Sequence, residues 1–568
     1  MRRLINTVLS IAVLAAAIHS ARAAEPAETS FGFADSQRID AARFGGRWMA
    51  GDLHAHTIQS DDAQTPLDNV LEDGLFKFGL DWIALSDHLR VSHRDSAGAP
   101  VPASAGIPMS QGIGDYQIPR VRQLQADRSY ARKLIYQAAE WDIPTHDHGN
   151  IGIFSGWPLA SDAKALNRFE YLFTNRPVSM FAPDDVRRWD AADTRAYSTH
   201  ADALAAIAWL KKHYPRTSYA FLNHPSRNPG KYSAAQFREF NDAAPNIVFA
   251  IEGMVGNQME PDRGGYNSAY VPANAKSRTY GGVDYVVAQV GGIWDALLGE
   301  GRRIWNVADS DHHFKISKDR QYSSGYFPGE YAKTYVWMTG TGVAPLLDGL
   351  RSGRVFAAYG DLIDALEFSA SNGLTKAEMG GELKALPGGK VRLTIRFKSP
   401  RRNNMEYLAG SGVLANTRPV VDHIDLIAGD VGPKAQPGTP SYDKDSNDST
   451  RVIARFTAAD WVRDRDGYNV VTFDVAARKN QYFRLRGTNL GVNVDGETRN
   501  GNPLPDARTD IADPTARFNA INARNYKDLW FYSNPIFVSP LKLAPPCNDR
   551  RPGSAHSWKP CRPGHDAG

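Results

Sequence analysis

Short apolar runs that end in histidines or carboxylates recur along the first part of the chain. Examples are MAGDLHAH, DWIALSDH, KLIYQAAEWD, SYAFLNHP, IVFAIEGM and RIWNVADSDHH. Runs of this length, bounded by such breaks, indicate fully buried parallel strands. Enzymes with parallel barrels gather their catalytic groups at the carboxyl ends of those strands. The pattern therefore predicts parallel strands with chemically active side chains at one end.

Segments with helical spacing separate these runs. One begins after Thr65 and ends at Gly79, and two others begin after Thr199 and Ser233. Val286 to Leu298 has similar spacing but contains two adjacent glycines, which weaken a helix. Strand followed by helix, repeated, predicts an α/β barrel over residues 45–360.

Two long insertions interrupt the predicted barrel, near residues 90–130 and 157–198. Insertions after catalytic strands usually form lids or substrate walls. The second insertion is rich in aromatic residues, for which two interpretations stay open: an apolar substrate pocket, or a small satellite core. These residues are Trp157, Phe169, Tyr171, Phe173 and Phe181.

Residues 361–540 follow a different pattern. In VRLTIRFK the apolar residues alternate strictly with polar ones, which is typical of a half-buried strand. HIDLIAGD, STRVIARF, YNVVTFDV and YFRLRG follow, separated by turn-forming residues and without a helix-length apolar stripe. This pattern predicts a C-terminal antiparallel β-sandwich-like domain. A Pro-rich tail follows at 541–568.

The N-terminus has the features of a secretory signal. Arg2 and Arg3 precede an apolar stretch, and small residues at 21 and 23 fit a cleavage site. We expect a signal peptide over 1–23, a lead-in over 24–44, and a periplasmic or secreted protein without stable membrane insertion. In an oxidising compartment Cys547 and Cys561 could pair.

Net charge excludes one class of partner. Residues 1–23 contain three arginines and no acid, so their removal lowers the formal charge from +4 to +1. A nearly neutral protein offers no electrostatic basis for binding nucleic acid.

Candidate metal ligands stand at the ends of the apolar runs. His54 and His56 lie two apart, so on a strand both face the same side, where they can share a cation. A chance pair on an exposed strand is the alternative for any single motif, but the pattern recurs. Imidazole and carboxylate ligands without thiolates favour Zn, Mn or Fe.

The order of these motifs resembles that of the PHP (polymerase and histidinol phosphatase) superfamily of metallohydrolases. The matching motifs are HAHTIQSD, SDH, the isolated Glu140, HGN, NHP and SDHH, over about residues 45–360. Within the superfamily the chain looks most like the carbaryl-hydrolase-like branch. The resemblance implies a distorted β/α barrel, which is seven-stranded in the family, and a centre of two or three cations per chain.

The resemblance also implies a ligand set. For the first cation the ligands are His54, His56, Glu140 and Asp311; for the second, the bridging Glu140 with His148 and His224; and for the third, Asp61, His88 and His313.

Three neighbouring residues leave alternatives open. The family has a glycine after its S-D, whereas Asp62 follows Asp61 here, so either carboxylate could be the ligand. His146 competes with His148, and His312 with His313, although the motif registers favour His148 and His313. Two further acids, Asp87 and Asp309, are expected to orient imidazoles.

The implied activity is hydrolysis of a phosphate ester by a hydroxide that bridges two cations. Glu140 and Asp311 would be the catalytic carboxylates, and Arg227, three residues after His224, would bind the phosphate. Hydrolysis of a carbamate, carboxylic ester or amide is the runner-up. A noncatalytic metal- or glycan-binding protein is the third hypothesis. In the first two cases the partner is a small-molecule ester or phosphoester, and the sequence makes no prediction for the oligomeric state.

Overall fold

The strands and helices below come from a computed structural model that describes residues 45–95, 97–255, 266, 272–316, 322–324, 326–403 and 417–542. The predicted signal peptide, the lead-in and both cysteines lie outside these residues. Within the described ranges, no helix combines the length and the apolar character needed to span a lipid bilayer.

The strands of four or more residues are, in chain order, β1 Arg47–Ala55, β2 Trp82–Leu85, β3 Leu134–Gln137, β4 Ala139–Asp142, β5 His148–Ser155, β6 Ser218–Leu222, β7 Ala250–Val255, β8 Trp305–Asp309, β9 Ala332–Met338, β10 Val355–Tyr359, β11 Ala365–Ser371, β12 Glu382–Ala385, β13 Lys390–Lys398, β14 His423–Asp430, β15 Arg451–Thr457, β16 Asn469–Ala476, β17 Gln481–Thr488, β18 Trp530–Ser533 and β19 Ile536–Pro540.

The α-helices of six or more residues are α1 Leu67–Glu72, α2 Ile118–Gln125, α3 Ala163–Phe173, α4 Pro183–Asp190, α5 His200–His213, α6 Ala234–Ala243, α7 Ile293–Leu298, α8 Val343–Ser352 and α9 Pro514–Asn525. Thr199 and Ser233 cap α5 and α6 with capping boxes, at the predicted helix starts. The segment with adjacent glycines forms two short helices, Tyr285–Ala288 and α7, on either side of Gly291. A π-helical turn, Asp73–Lys77, extends α1.

The protein is a mixed α/β structure with several sheets. One sheet has 11 strands, in the order β12-β19-β17-β18-β10-β9-β1-β2-β3, with β14 and β15 joined at β17. A second sheet contains β8-β7-β6-β5-β4. Strands from both sides of residue 360, the predicted domain boundary, therefore share one sheet.

The strands predicted to form a barrel divide between these two sheets, and no closed barrel is found among the described residues. The β1–β2–β3 and β6–β7–β8 pairings are parallel as predicted, but β4, β5 and β6 pair antiparallel. The physical reason is the length of the connection, because only five residues join β4 to β5. A connection this short allows a hairpin, whereas a parallel pair needs a longer crossover.

An all-antiparallel sheet lies in the C-terminal region. It has the order Lys376–Glu378, β11, β13, β16, Val462–Arg463. In β13 the apolar residues are buried and their neighbours are more exposed, as the alternating pattern predicted. The other predicted C-terminal strands, β14, β15 and β17, instead extend the large sheet, so the region is only partly an independent layer.

The aromatic residues of the second insertion fit a packed core better than an open pocket. Phe169, Tyr171, Phe173 and Phe181 are at most 5% exposed, whereas Trp157 is 95% exposed. Phe169 packs edge-on against Trp141 of β4 with ring centroids 5.3 Å apart. The insertion is therefore anchored on the second sheet.

Candidate metal centre

A single buried carboxylate, Glu140 on β4, lies at the centre of the site. Its side chain is inaccessible to solvent, and five imidazole nitrogens lie within 3.3 Å of its oxygens. A carboxylate has only about four lone-pair sites for hydrogen bonds. Five imidazoles around one carboxylate are therefore more than hydrogen bonding alone requires. The five residues are His54, His56, His88, His148 and His224.

Four ligand atoms form the tightest group in this cluster. They belong to His54, His56, Glu140 and Asp311, all buried. His54 Nε2 lies 3.0 Å from His56 Nε2, and each nitrogen lies 3.1–3.2 Å from Asp311 Oδ1 and 3.2 Å from a Glu140 oxygen. In a tetrahedral zinc site with bonds of about 2.0–2.2 Å, neighbouring ligand atoms lie about 3.3–3.6 Å apart. The observed spacing is slightly tighter than that and fits one small cation.

The backbone is strained where two of these side chains enter the cluster. His224 has a φ of 28° and Asp311 a φ of 46°, in the left-handed region that residues other than glycine rarely adopt. Such strain persists only where the surrounding structure enforces it, and it concentrates at functional sites. The backbone conformation is thus evidence for a functional site in addition to the ligand types of the side chains.

A second group lies beside the first. His148 Nδ1 is 3.0 Å and His224 Nε2 is 3.3 Å from Glu140 Oε1, so one oxygen of Glu140 serves both. Asp147, which the sequence analysis did not single out, lies 3.4 Å from His224 Nδ1 and forms a possible ligand group with these histidines.

A third group contains His88 and His313 together with His56. The Nε2 atoms of His88 and His313 lie 3.5 and 3.3 Å from Asp62 Oδ1. Asp62 thus occupies the place that the resemblance assigned to Asp61, whose side chain is exposed. The reason is the turn in which Ala63 N donates to Ser60 O: only one of two adjacent carboxylates can face the cluster.

The two competing histidines lie outside these groups. His146 contacts the carbonyl oxygen of Lys231 and the imidazole of His200. His312 contacts Tyr326 O and Thr65 Oγ1, and burial lowers its pKa to about 3. His148 and His313 are therefore the members of each pair that join the cluster.

Hydrogen bonds outside the cluster set the tautomers of the imidazoles within it. His54 Nδ1 lies 3.2 Å from Glu252 Oε1, and His148 Nε2 lies 3.1 Å from Asp142 Oδ1. When the imidazole is neutral, as a metal ligand must be, each carboxylate would accept a hydrogen bond from its protonated nitrogen, and the lone pair of the other nitrogen would face the cluster. Outer carboxylates have this role at many metal-binding histidines.

Of the two acids expected to orient imidazoles, Asp87 acts through an intermediate. It accepts hydrogen bonds from Ser60, whose Oγ lies 2.9 Å from His56 Nδ1. Asp309 accepts from Leu53 N instead. Three acidic contacts had no role in the prediction from sequence: Asp142, Asp147 and Glu252. Asp142 and Glu252 each follow an apolar run, and this position was the available signal.

Two arginines flank His148. Arg227 donates to Asp147 Oδ1 at 2.7 Å and lies 3.4 Å from His148 Nδ1. Arg90, which sequence reasoning missed, binds Asp142 through two nitrogens and lies 3.2 Å from His148 Nε2. The guanidinium predicted to bind phosphate is thus beside the cluster, and each arginine already has a carboxylate partner.

Attraction between the histidines and carboxylates of the cluster outweighs the cost of burying their charges. Although burial opposes ionisation, His54, His148 and His88 keep the pKa of Glu140 well below its ordinary value. Burial likewise disfavours charged His88, yet Glu140 and Asp62 raise its pKa to about 10. Glu140 Oε2 and His88 Nδ1 form a buried ion pair 2.8 Å apart. Since cations and protons compete for such nitrogens, the donor set fits a cation.

Searches of protein-family models and of curated proteins find no match to this chain. The functional argument therefore depends on the site itself. Buried histidine and carboxylate groups of this geometry are compatible with a metal centre in a mixed α/β protein.

Proposed function

We propose that this chain is an exported, metal-dependent hydrolase of the PHP type that acts on phosphate esters. The observation that carries the proposal is the convergence of five imidazoles on the buried Glu140. These residues come from positions spread over the chain from His54 to His224, and Asp311 joins them. The proposal places the metal centre on residues 45–360, whose strands share a sheet with the β-rich C-terminal region, and includes a periplasmic or secreted location.

The centre would hold two or three divalent cations, with Zn, Mn or Fe favoured by the imidazole and carboxylate donors. The proposed ligands are His54, His56, Glu140 and Asp311 for the first cation; Glu140, His148 and His224 for the second; and Asp62, His88 and His313 for the third. When bound, such cations lower the pKa of a water ligand and act as Lewis acids.

The residues of the chain would supply position and charge. Glu140 has two oxygens that face different imidazoles, so it can hold two cations at a fixed separation. Asp311 completes the first group. Arg227, beside His148, would orient an anionic substrate oxygen, and Asp147 would hold that guanidinium in place.

One observation favours the second candidate, hydrolysis of a carbamate, carboxylic ester or amide. Arg227 and Arg90 are both paired with carboxylates, so their positive charge is already partly balanced. A neutral substrate needs less positive charge than a phosphate dianion. The third candidate, a noncatalytic metal- or glycan-binding protein, would share the cation site without turnover.

An assay panel distinguishes the three candidates. Protein loaded with Mn²⁺ or Zn²⁺ is incubated with aryl phosphates, aryl phosphodiesters and aryl carbamates, beside the Glu140→Gln variant. We expect turnover of a phosphate ester by the wild type that the variant lacks. Activity on carbamates alone would replace the first candidate by the second, and metal binding without turnover of any substrate would support the third.

A further inference from the structure

We infer that Gln117, in the first insertion, is a positioning residue for the metal centre: through Asp87 and Ser60 it holds His56 in its ligand tautomer. The inference rests on the proposed function, since it concerns how a proposed ligand is held. It gives the first insertion a role in the site.

Gln117 is the last residue of a π-helical segment, Ile113–Gln117, and its side chain is fully buried. Its Nε2 donates to Asp87 Oδ2 at 2.6 Å and also to Gln59 Oε1. Segments of π-helix are rare and occur frequently at functional sites. The insertion thus contacts the loop that connects His56 to Asp62.

Asp87 is the acceptor that organises this loop. Its Oδ1 accepts from Thr57 N at 2.8 Å and from Ser60 Oγ at 2.7 Å, and its Oδ2 accepts from Thr57 Oγ1 at 2.8 Å. No ion pair of Asp87 is found in the part of the chain that the structure describes. The amide of Gln117 is therefore one of a small set of donors that hold this buried carboxylate.

The single hydroxyl proton of Ser60 fixes the direction of the hydrogen bonds between Asp87 and His56. Ser60 has one hydroxyl proton, which it donates to Asp87, so its oxygen can only accept from His56 Nδ1 at 2.9 Å. The Nδ1 atom of His56 therefore bears the proton. Its Nε2 keeps a lone pair, which lies 3.2 Å from both Asp311 Oδ1 and Glu140 Oε2. This is the tautomer that a cation in the first group requires.

The buried amides give this arrangement a cost in stability. Gln117 Oε1 and Gln59 Nε2 are buried and have no hydrogen-bond partner among the described residues. An unpaired buried polar atom destabilises a fold. Met at position 117 removes the unpaired Gln117 Oε1 but also a donor to Asp87 and Gln59. Four other hydrogen bonds still hold Asp87, so the variant should fold. Measuring Mn²⁺ affinity beside the metal-free stability separates positioning from a merely structural role.

The test compares Gln117→Met with a matched control, Gln123→Met, at an exposed position of the same insertion. The apparent dissociation constant for Mn²⁺ is measured on the full chain by electron paramagnetic resonance of the free ion. We expect a rise of about 10- to 100-fold for Gln117→Met, the usual effect of removing an outer partner of a metal ligand. The control should match wild type, and both variants should be folded without metal, with a cooperative unfolding transition above the temperature of the binding experiment.

A rescue experiment tests the hydrogen bond itself. Gln117→Glu places a second carboxylate against Asp87 and should weaken Mn²⁺ binding at least as much as Gln117→Met. In the double variant Asp87→Asn, Gln117→Glu the amide and the carboxylate exchange places, which restores the hydrogen bond in the opposite direction. We expect its affinity to return to within about tenfold of wild type.

The possible results separate the two proposals. Wild-type Mn²⁺ affinity in Gln117→Met, or no recovery in the double variant, would overturn the positioning role and leave the proposed function intact. A wild-type protein that binds no Mn²⁺, Zn²⁺ or Fe²⁺ would remove the proposed function, and the positioning role with it.

Discussion

Two groups of ionisable side chains in this protein look alike as clusters but differ in how their charge is balanced. In the Glu140 cluster, defined by Glu140 and its five histidines, the carboxylate is surrounded by nitrogens that can each bind a proton or a cation. In the Glu497 cluster, which consists of Glu497, Asp506 and Asp528, three carboxylates also come within ligand distance of one another.

The partners of the Glu497 cluster are built into the fold. Arg524 binds both oxygens of Glu497 at 2.7–2.8 Å and lies 3.4 Å from Asp506. Asp506 also accepts from Gly282 N, and Asp528 accepts from Trp530 Nε1. A permanently charged guanidinium and fixed N–H donors leave no requirement for a cation. Proximity of acids is therefore weak evidence for a metal site, and the identity of their partners decides.

The strongest test of this contrast removes the central carboxylate of each cluster. Glu140→Gln should lower turnover at least about 1000-fold, because in the proposed centre it would remove an anion shared by two cations whose Lewis acidity would supply several kcal/mol. Glu497→Gln should leave metal content and turnover unchanged. Steady-state kinetics and metal analysis of both variants measure the difference, and full turnover in Glu140→Gln would contradict a bridging role.

A finer test uses the adjacent acids of the third group. Asp62 faces His88 and His313, whereas Asp61 is exposed. As a proposed direct ligand, Asp62 should matter at least as much as an outer partner, so Asp62→Asn should weaken binding of one equivalent of Zn²⁺ by at least about 10- to 100-fold. Asp61→Asn should bind like wild type. Titration against a competing chelator measures both constants. The reverse ranking would restore the assignment of Asp61.

The Glu497 cluster should respond in stability rather than in metal binding. Arg524→Leu removes the guanidinium that binds Glu497 and lies beside Asp506, and we expect a loss of about 1–3 kcal/mol in the free energy of unfolding. Urea unfolding of the variant measures this loss. A change in metal content with preserved stability would mean that the two clusters do not differ in the way described.

The smallest expected effect concerns pH and the anchoring of the first insertion. Glu170 on α3 accepts from Ser110 Oγ, and burial raises its pKa from 4.5 to about 7. The native protein thus holds more protons than the unfolded chain between these values. The contribution is fully present below pH 4.5 and is lost as the pH rises through about 7.

Glu170→Gln cannot ionise, so its stability should fall less than that of wild type between pH 5 and pH 8. Urea unfolding at the two pH values provides the comparison, and each protein serves as its own reference. Equal pH dependence in both proteins would show that Glu170 ionises as easily in the folded state as in the unfolded one.

Local signals in the sequence predicted much of this structure. Helix starts at Thr199 and Ser233 depend on side chains within three residues, and the alternation in β13 depends on one strand. The order of histidines and acids also indicated which side chains come together. These features follow from short-range chemistry that a sequence displays directly.

The remaining features depend on contacts between distant segments. The division into two sheets follows from strand pairing, such as β1 with β9, which is separated from it by almost the whole predicted barrel. Asp142 lies beside His148 because β4 pairs with β5. Arg90 reaches both residues because the loop after β2 lies along β4, where Leu89 N donates to Glu140 O. The preference for Asp62 over Asp61 is set by a single turn, which residue type does not reveal.

The most direct test of the central claim is anomalous diffraction from crystals of the protein grown with Zn²⁺. We expect a peak within about 2.3 Å of a Glu140 oxygen and of the Nε2 atoms of His54 and His56, with further peaks beside His148 and His88. A map in which zinc occupies other positions and leaves the surroundings of Glu140 without a peak would contradict a metal centre at this carboxylate.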